Sequence, residues 1–229
     1  MTTVITGPSA LLIAEPNTIR SLFEAVLPHV AVNDDDNDDY HPPILTSVHI
    51  EVRDGHLLLV GSDRYTLAVV RWPLTVTTPD FTARFAVEGE SIRGLLAELP
   101  AKAVSLRIEP GQLTVRNDGW TKTLPVSTRW ADRLPWQSVA RRHGRIQDAE
   151  HGRAIVQPAL LARFSSAARL LDLAVPPMVV HVQNETRHLV VTLGTVFLGL
   201  AAHPDTKRYR DGEIPAQPLN AWTDLLSEA

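Results

Sequence analysis

Hydrophobic and polar positions alternate along residues 43–71 in a way that is typical of consecutive β-strands. Between residues 45 and 53, a mainly apolar set of side chains alternates with a mainly polar one, which predicts a strand with one apolar and one wet face. Asp54 and Gly55 supply the positive φ of a two-residue hairpin. The strand that returns, residues 57–60, is apolar, and a break at residues 61–63 precedes a third strand. We therefore expect a three-stranded meander that is buried on at least one face.

A helical pattern and a short apolar strand precede this meander. Residues 10–14 are predicted to form the strand, and Glu15 and Pro16 favour a helix start directly after it. Pro28 is predicted to end the helix. The first unit therefore has the order strand, helix, strand, strand, strand. The apolar residues of its helix recur every three or four positions and form one stripe: Ile19, Leu22, Phe23, Val26 and Leu27.

The same order of elements recurs in a second unit. A strand at residues 83–87 leads to a helix that Ser91 is predicted to cap and Pro100 to end. Strands are expected at residues 103–108, 112–116 and 120–126, with turns that contain Gly111 and Gly119 between them. The apolar stripe of this helix consists of Ile92, Leu95, Leu96 and Leu99.

A third unit follows, and a fourth begins. The third has a strand at residues 154–157, a helix at 158–173 and strands at 178–182, 189–193 and 196–201. A further strand at 213–216 and a helix at 218–226 would open a fourth unit. The order of elements therefore indicates an internal structural repeat. The side chains predicted to point inward from the third helix are Leu160, Leu161, Phe164, Ala168 and Leu171.

Residues 127–152 show little periodicity and are interpreted as a linker. Five arginines lie here among Trp130, Pro135 and Trp136. The tryptophans and arginines could form a stacking surface for a nucleic acid single strand. They could equally be linker anchors that pack on a domain, and that interpretation is favoured.

Composition indicates a globular protein of one or two domains, since 44% of the 229 residues are hydrophobic. The absence of cysteine excludes disulfides, thiolate zinc sites and a cysteine nucleophile. Neither a secretion signal nor a membrane-length apolar run is found, so a cytoplasmic location is expected. The sequence contains no glycine-rich phosphate loop, no nucleophile elbow and no helical histidine pair, so neither an enzyme nor a cofactor is predicted.

An acidic stretch at residues 33–39 contains five aspartates. A calcium loop would need a central glycine and a closing glutamate, and neither is present. A solvated loop that its own charge keeps extended is favoured over a metal site, so no metal ligands are predicted.

The chain resembles the bacterial DNA polymerase III β subunits, the sliding clamps. The stretches PILTSV at residues 43–48 and SDRYTLAV at residues 62–69 are similar to that family's signature PVLTGV…ATDRYRLAV. The resemblance implies an α+β DNA-clamp fold of repeated units, with sheets outside and helices on the inner face. It covers mainly the family's middle domain and part of the third. Residues 1–128 would form a complete domain, 129–152 a linker and 153–229 an incomplete second domain.

The resemblance also implies a ring around duplex DNA, which a protein with a net charge of −4 could form because topology prevents escape. A few cations on the inner helices would centre the duplex, although solubilising charge is the alternative interpretation. Arg163 and Arg169 lie opposite the apolar stripe of the third helix and share a face. The predicted DNA-facing residues are Arg20, Arg93, Lys102, Arg163 and Arg169.

A hydrophobic cleft for short peptides of polymerases and other partners is the second surface that the resemblance implies. A leucine or phenylalanine of a peptide could bury there for about 1.5–3 kcal/mol. Core and linker packing is the alternative interpretation of the apolar positions. The matching residues are Ser62, Tyr65, Thr66, Leu67, Leu134, Pro135 and Val139.

The leading hypothesis is a non-enzymatic, homo-oligomeric processivity factor that encircles double-stranded DNA and tethers a polymerase. The alternative is a clamp-derived regulator that forms no ring and binds replication proteins or the host clamp. The number of subunits does not follow from the sequence.

Overall fold

The computed structural model describes residues 9–33, 41–143, 158–171, 178–182 and 188–202. Its α-helices are α1 (Pro16–Glu24), α2 (Pro43–Thr46), α3 (Gly89–Glu98), α4 (Trp136–His143) and α5 (Pro158–Leu170), and Leu27–His29 form a 3₁₀ helix. Its strands are β1 (Ala10–Ala14), β2 (Ser47–Arg53), β3 (His56–Ser62), β4 (Thr66–Pro73), β5 (Val76–Thr77), β6 (Ala83–Glu88), β7 (Val104–Glu109), β8 (Gln112–Asn117), β9 (Trp120–Leu124), β10 (Val179–Val182), β11 (Leu189–Leu193) and β12 (Phe197–Ala201).

Two antiparallel sheets organise these strands. Sheet A has the order β5-β1-β7-β8-β9, and sheet B has the order β10-β11-β12-β4-β3-β2-β6. The first two units interlock, because β1 pairs with β7 of the second unit and β6 pairs with β2 of the first. Each unit thus supplies a strand to the other unit's sheet, and the two share a hydrophobic core.

The third unit joins the first through strand pairing at what we call the seam. Strand β12 lies antiparallel to β4, with Leu200 opposite Leu67 and Phe197 opposite Val70. The meander of the third unit therefore extends sheet B from four strands to seven. The division into residues 1–128, 129–152 and 153–229 stays a prediction.

The main core lies between the helices and one face of each sheet. Ile19, Leu22 and Phe23 of α1 are no more than 1% exposed, and Ile92 and Leu95 of α3 are fully buried. Burying such a side chain contributes about 1.5–3 kcal/mol. The predicted apolar stripes of these two helices are confirmed in this core.

Two predicted helix boundaries are wrong. Helix α3 begins at Gly89, directly after β6, and its N-cap is Glu88, not Ser91. Pro28 does not terminate α1, which ends at Glu24; it is the second residue of the 3₁₀ helix instead. Proline is tolerated at such a first turn, because the amide hydrogen that it lacks would have no helical partner there.

Residues 43–46 form a helical turn where an extended strand was expected. The Leu45 amide donates to the Pro42 carbonyl oxygen over 2.8 Å, so proline chemistry outweighs the alternation of the pattern. In the third unit, Leu161 was predicted to point inward but is 40% exposed. Ala167, which was not among the predicted inward residues, is buried. The buried face of α5 is set by i, i+4, i+7 spacing from Leu160, and Leu161 lies beside that face.

Three sets of predictions lie outside the described residues. They are the aspartates of the acidic stretch, the strand at 154–157, and the strand and helix at 213–226.

Candidate DNA-facing surface and peptide cleft

Sheet B is covered on both faces around β2, which corrects the prediction that one face of β2 is wet. Ser47, His49 and Glu51 are at most 6% exposed, even though they point away from the main core. Residues 127–143, which we call the strap, lie over this face. Ser127 and Ala86 of β6 exchange two backbone hydrogen bonds of 2.8 Å, and Gln137 donates to the Glu51 carboxylate over 3.0 Å. The sequence pattern of β2 alone cannot show that a segment far away in the chain covers its polar face.

The strap also encloses a second, smaller apolar cluster, which we call the outer cluster. Its five buried members come from both sides of the seam, and Leu134, Trp136 and Val139 of the strap pack against them. Three predicted cleft residues, Leu67, Leu134 and Val139, are therefore brought together. Side chains of the strap already occupy this surface. The buried members are Val60, Leu67, Val69, Val190 and Leu200.

Asp63 organises the corner between β3 and β4. Its Oδ1 accepts hydrogen bonds from the amides of Tyr65 and Thr66, at 3.0 and 2.7 Å, and from the Thr66 hydroxyl at 2.9 Å. The Ser62 hydroxyl donates to the Thr66 carbonyl oxygen. Arg64, between these residues, has a φ of 78°. Such a left-handed residue is uncommon outside glycine, and the hydrogen bonds to Asp63 hold it in place.

The corner divides the other predicted cleft residues into buried and accessible ones. Thr66 is 3% exposed, whereas Tyr65 is 62% exposed. Pro135 is exposed on the strap, and Ser62 is half-buried. Tyr65 and Pro135 are therefore accessible from solvent, whereas Thr66 acts inside the protein.

Arg163 of α5 pairs with Asp63 and thereby ties the third unit to the corner. The same guanidinium lies 3.3 Å from the Thr66 hydroxyl. Burial raises the pKa of Asp63, but hydrogen bonds from Arg163 and Thr66 lower it by more, so this pKa lies below its usual value. Asp63 is therefore a carboxylate at neutral pH.

The other predicted DNA-facing residues differ in how free they are. Arg20 donates to the Leu96 carbonyl oxygen over 2.6 Å and lies 3.6 Å from Glu24. Arg93 pairs with Glu90 over 2.8 Å. Lys102 and Arg169 are exposed. Of the five predicted cations, Arg20, Arg93 and Arg163 thus contact carboxylates of their own chain.

His29 is a buried residue at the seam that sequence reasoning missed. It is fully buried, and its ring lies 4.9 Å from that of Phe164. Neither ring nitrogen has a hydrogen-bond partner among the described residues. Burial, with a further contribution from Arg163 and against one from Asp63, lowers the pKa of His29 to about 3. The imidazole is therefore neutral and acts as an aromatic core side chain.

Arg84 is a charged residue whose role the sequence did not reveal, and it fixes the start of the strap. Arg84 of β6 donates to Glu51 and to Asp132, each over 3.0 Å. The hydrogen bond to Glu51 is the main cause of the raised pKa of Arg84. The arginine therefore joins the sheet to the strap.

Neither metal nor membrane chemistry is evident in the part of the chain that the structure describes. Within it, no three histidine or acidic side chains are grouped so that they could hold a metal ion. Among these residues, no helix is long and apolar enough to cross a bilayer.

Comparison with solved structures yields many bacterial sliding clamps. The Thermotoga maritima DNA polymerase III β subunit matches with a TM-score of 0.62 and 13% sequence identity, over 88% of this chain and 67% of that one. The Bacillus subtilis clamp matches with a TM-score of 0.60 and 13% identity, over 89% and 66%. The Helicobacter pylori clamp, solved with a DNA ligase peptide, matches with a TM-score of 0.58 and 12% identity, over 91% and 70%.

The chain has the bacterial sliding-clamp fold. This confirms the predicted α+β class of repeated strand-helix-strand-strand-strand units. The chain spans about two thirds of the length of these clamps. No protein-family model matches the sequence, and no curated protein does. Beyond the two short stretches at residues 43–48 and 62–69, the similarity to sliding clamps thus lies in three-dimensional structure.

Proposed function

We propose that this chain is a sliding-clamp-like, non-enzymatic processivity factor that encircles duplex DNA as a homo-oligomer and tethers a polymerase. The clamp fold, with helices on one face of the sheets, supports this proposal most directly. A ring with these helices inside needs few phosphate contacts, because closure itself prevents dissociation. Under this proposal the protein works in the cytoplasm and needs no cofactor.

The inner surface would use its free cations for sliding. Lys102 and Arg169 are exposed and available to phosphates. Arg20, Arg93 and Arg163 would contribute less, because each is held by a carboxylate or carbonyl group of the chain. Weak, distributed attraction suits a duplex that must move through the ring.

The partner surface would be the corner and the adjoining strap. Tyr65 and Pro135 are exposed beside the outer cluster, so an apolar side chain of a peptide could pack against them. The H. pylori clamp of the same fold was solved with a DNA ligase peptide, which makes peptide docking a reasonable proposal here.

Topological retention tests the ring. Protein assembled on nicked circular DNA should stay bound during gel filtration at high salt and should leave when the circle is linearised. Light scattering on the same fractions gives the subunit number. A protein that elutes from the column as a monomer, separately from the circular DNA, would contradict the ring.

Two double variants test whether these cations contact duplex DNA. Lys102→Gln with Arg169→Gln should lower the affinity for linear duplex DNA and flatten its salt dependence by about two units, since each phosphate contact contributes about 0.9. Arg71→Gln with Arg116→Gln, at exposed arginines of β4 and β8, is the matched control for charge. Equal effects of the two pairs would remove the helix face from the proposal.

Peptide docking needs its own measurement. Tyr65→Ala should weaken binding of a polymerase-derived clamp-binding peptide about tenfold, whereas Val76→Ala, on an exposed apolar residue of β5, should leave it unchanged. If both variants bind like the parent, the corner is not the docking site.

The alternative, a clamp-derived regulator without a ring, has support of its own. Three predicted inner-face arginines contact carboxylates within the chain, and the strap fills the outer cluster. A monomer that leaves circular DNA but co-purifies with the host clamp would favour this function.

A further inference from the structure

Positive charge is concentrated on the strap, whose sequence contains four arginines and one acidic residue in a chain with a net charge of −4. Asp132, the acidic residue, is already paired with Arg84 of the sheet. All four arginines are exposed. They are Arg129, Arg133, Arg141 and Arg142.

These guanidinium groups differ from those on the helix face. Among the described residues, Arg129, Arg133 and Arg141 form no ion pair with a carboxylate, whereas Arg20, Arg93 and Arg163 each do. In the described part of the chain, Arg141 donates to the Gln137 carbonyl oxygen, one turn earlier in α4. Exposed cations without an acidic partner are the ones that can neutralise phosphates.

The sheet holds the strap in place, so its arginines are carried on a supported backbone. Ser127 pairs with β6, Asp132 with Arg84, and Gln137 with Glu51. Trp136 and Val139 bury their inner sides in the outer cluster. Ser138, Arg141 and Arg142 of α4 are exposed, so the helix turns its charged side outward.

An aromatic group lies next to this charge. The guanidinium carbon of Arg129 is 4.8 Å from the centre of the Trp130 ring, and the indole is only partly buried. A planar cation on an indole offers flat surfaces on which an unpaired base can stack. In a duplex the faces of the bases are covered by their neighbours, and acidic peptides have no comparable flat ring in each residue.

We propose that the outward face of the strap binds single-stranded nucleic acid, through Arg129, Arg133 and Arg141 on phosphates and Trp130 on a base. This surface lies on the face of sheet B opposite to the helices. It is therefore separate from the proposed duplex contacts at Lys102 and Arg169. The proposal rests on the strap alone, and it holds whether or not a ring closes.

Fluorescence anisotropy with labelled oligo-dT of twenty nucleotides tests the proposal on the full chain. The triple variant Arg129→Gln, Arg133→Gln, Arg141→Gln should bind at least tenfold more weakly. It should also flatten the dependence of log K on log salt by about two units, because each single-strand contact contributes about 0.7. Trp130→Ala should weaken binding about tenfold through lost stacking. Arg116→Gln, at an exposed arginine of β8 in sheet A, is the control and should leave oligo-dT affinity unchanged.

Circular dichroism and urea midpoints equal to those of the parent would show that the variants fold. Three results would overturn the proposal: a folded triple variant that binds oligo-dT like the parent, a duplex that competes as well as the single strand, or poly-glutamate that competes equally at matched charge. The last result would indicate an acidic protein partner for the strap.

Discussion

Asp63 and Thr66 show how polar residues of a stretch that resembles the sliding-clamp signature can serve the interior of the protein. Both lie in the SDRYTLAV stretch, and both are at most 8% exposed. Asp63 binds the amides of its own corner and Arg163 of the third unit. Arg64 and Tyr65, which lie between Asp63 and Thr66, are the exposed residues of this stretch. Within this stretch, exposure rather than motif membership decides which side chain can meet a partner.

Gly61 is required because the chain passes too close for a side chain. A Cβ there would lie 2.7 Å from the Val26 carbonyl oxygen and 3.0 Å from Val30 Cγ2. Gly61→Ala should therefore destabilise the fold by about 1–3 kcal/mol, as measured by urea unfolding. At Gly94, on the exposed side of α3, a Cβ would meet nothing within 4 Å.

The control Gly94→Ala should stabilise the protein by about 1 kcal/mol, because alanine favours the helix. A Gly61→Ala variant as stable as the parent would show that the backbone at residue 26 can move away.

His29 should make stability depend on pH. Its folded pKa of about 3 lies below the unfolded value of 6.5, so the unfolded state binds the proton more readily. The contribution of His29 to the free energy of unfolding is complete above pH 6.5. It falls as the pH drops toward 3, by about 1.4 kcal/mol per pH unit at most. Asp63 adds no slope above its ordinary titration range, since its pKa is lowered.

Urea unfolding at pH 7.0, 6.0 and 5.0 checks this, with His29→Leu as the comparison. The variant should lose less stability on acidification than the parent, and the difference isolates His29 from His49, which is also buried with a lowered pKa. Identical slopes in parent and variant would mean that His29 is protonated at no cost in the folded state.

At the scale of elements, the seam joins β4 to β12 and adds Arg163 of α5 to the corner. Phe164, the next residue, is fully buried against His29 and Phe197. Gly199 has no side chain here because a Cβ would lie 2.7 Å from Phe164 Cδ1. Polar and apolar contacts thus coincide at one junction.

A double-mutant cycle on Asp63 and Arg163 should give a coupling of about 1.5–3 kcal/mol, since the pair is charge-assisted and largely shielded from water. Asp63→Asn and Arg163→Met are the single variants, and unfolding free energies are the readout.

The exposed i, i+3 pair of Glu90 and Arg93 serves as the control cycle, and it should couple by less than about 0.5 kcal/mol. Similar coupling in both cycles would show that the seam pair is no more than a surface ion pair.

At the scale of the molecule, sheet B runs without a break from β6 to β10 and links three units. A core cluster also includes side chains from all three. The predicted boundary between residues 128 and 153 separates regions of sequence, whereas the strand pairing crosses it at the seam.

We therefore expect the described units to unfold in one cooperative transition. Urea curves from far-ultraviolet circular dichroism and from tryptophan fluorescence should coincide, because Trp72 and Trp120 report on the first two units while Trp136 reports on the seam side. Two separated transitions would indicate that the third unit unfolds on its own.

Local pattern by itself determined most elements of this protein. Alternation and turn chemistry predict the meander of β2, β3 and β4, and helical spacing predicts α1, α3 and α5, because these signals act within a few residues. The repeat of units and the similarity of two short stretches to the sliding clamps also led to the correct fold class. Helix α4 was missed, since its pattern contains only two anchoring residues, Trp136 and Val139.

Only the tertiary structure decided which surfaces are free. The face of β2 that carries His49 and Glu51 looks wet in the sequence, but the strap covers it from more than eighty residues away. Arg163 looks like an outward cation, but its partner Asp63 lies a hundred positions earlier. Burial and ion pairing depend on contacts between residues that are far apart in the sequence, and the local sequence pattern does not show these contacts.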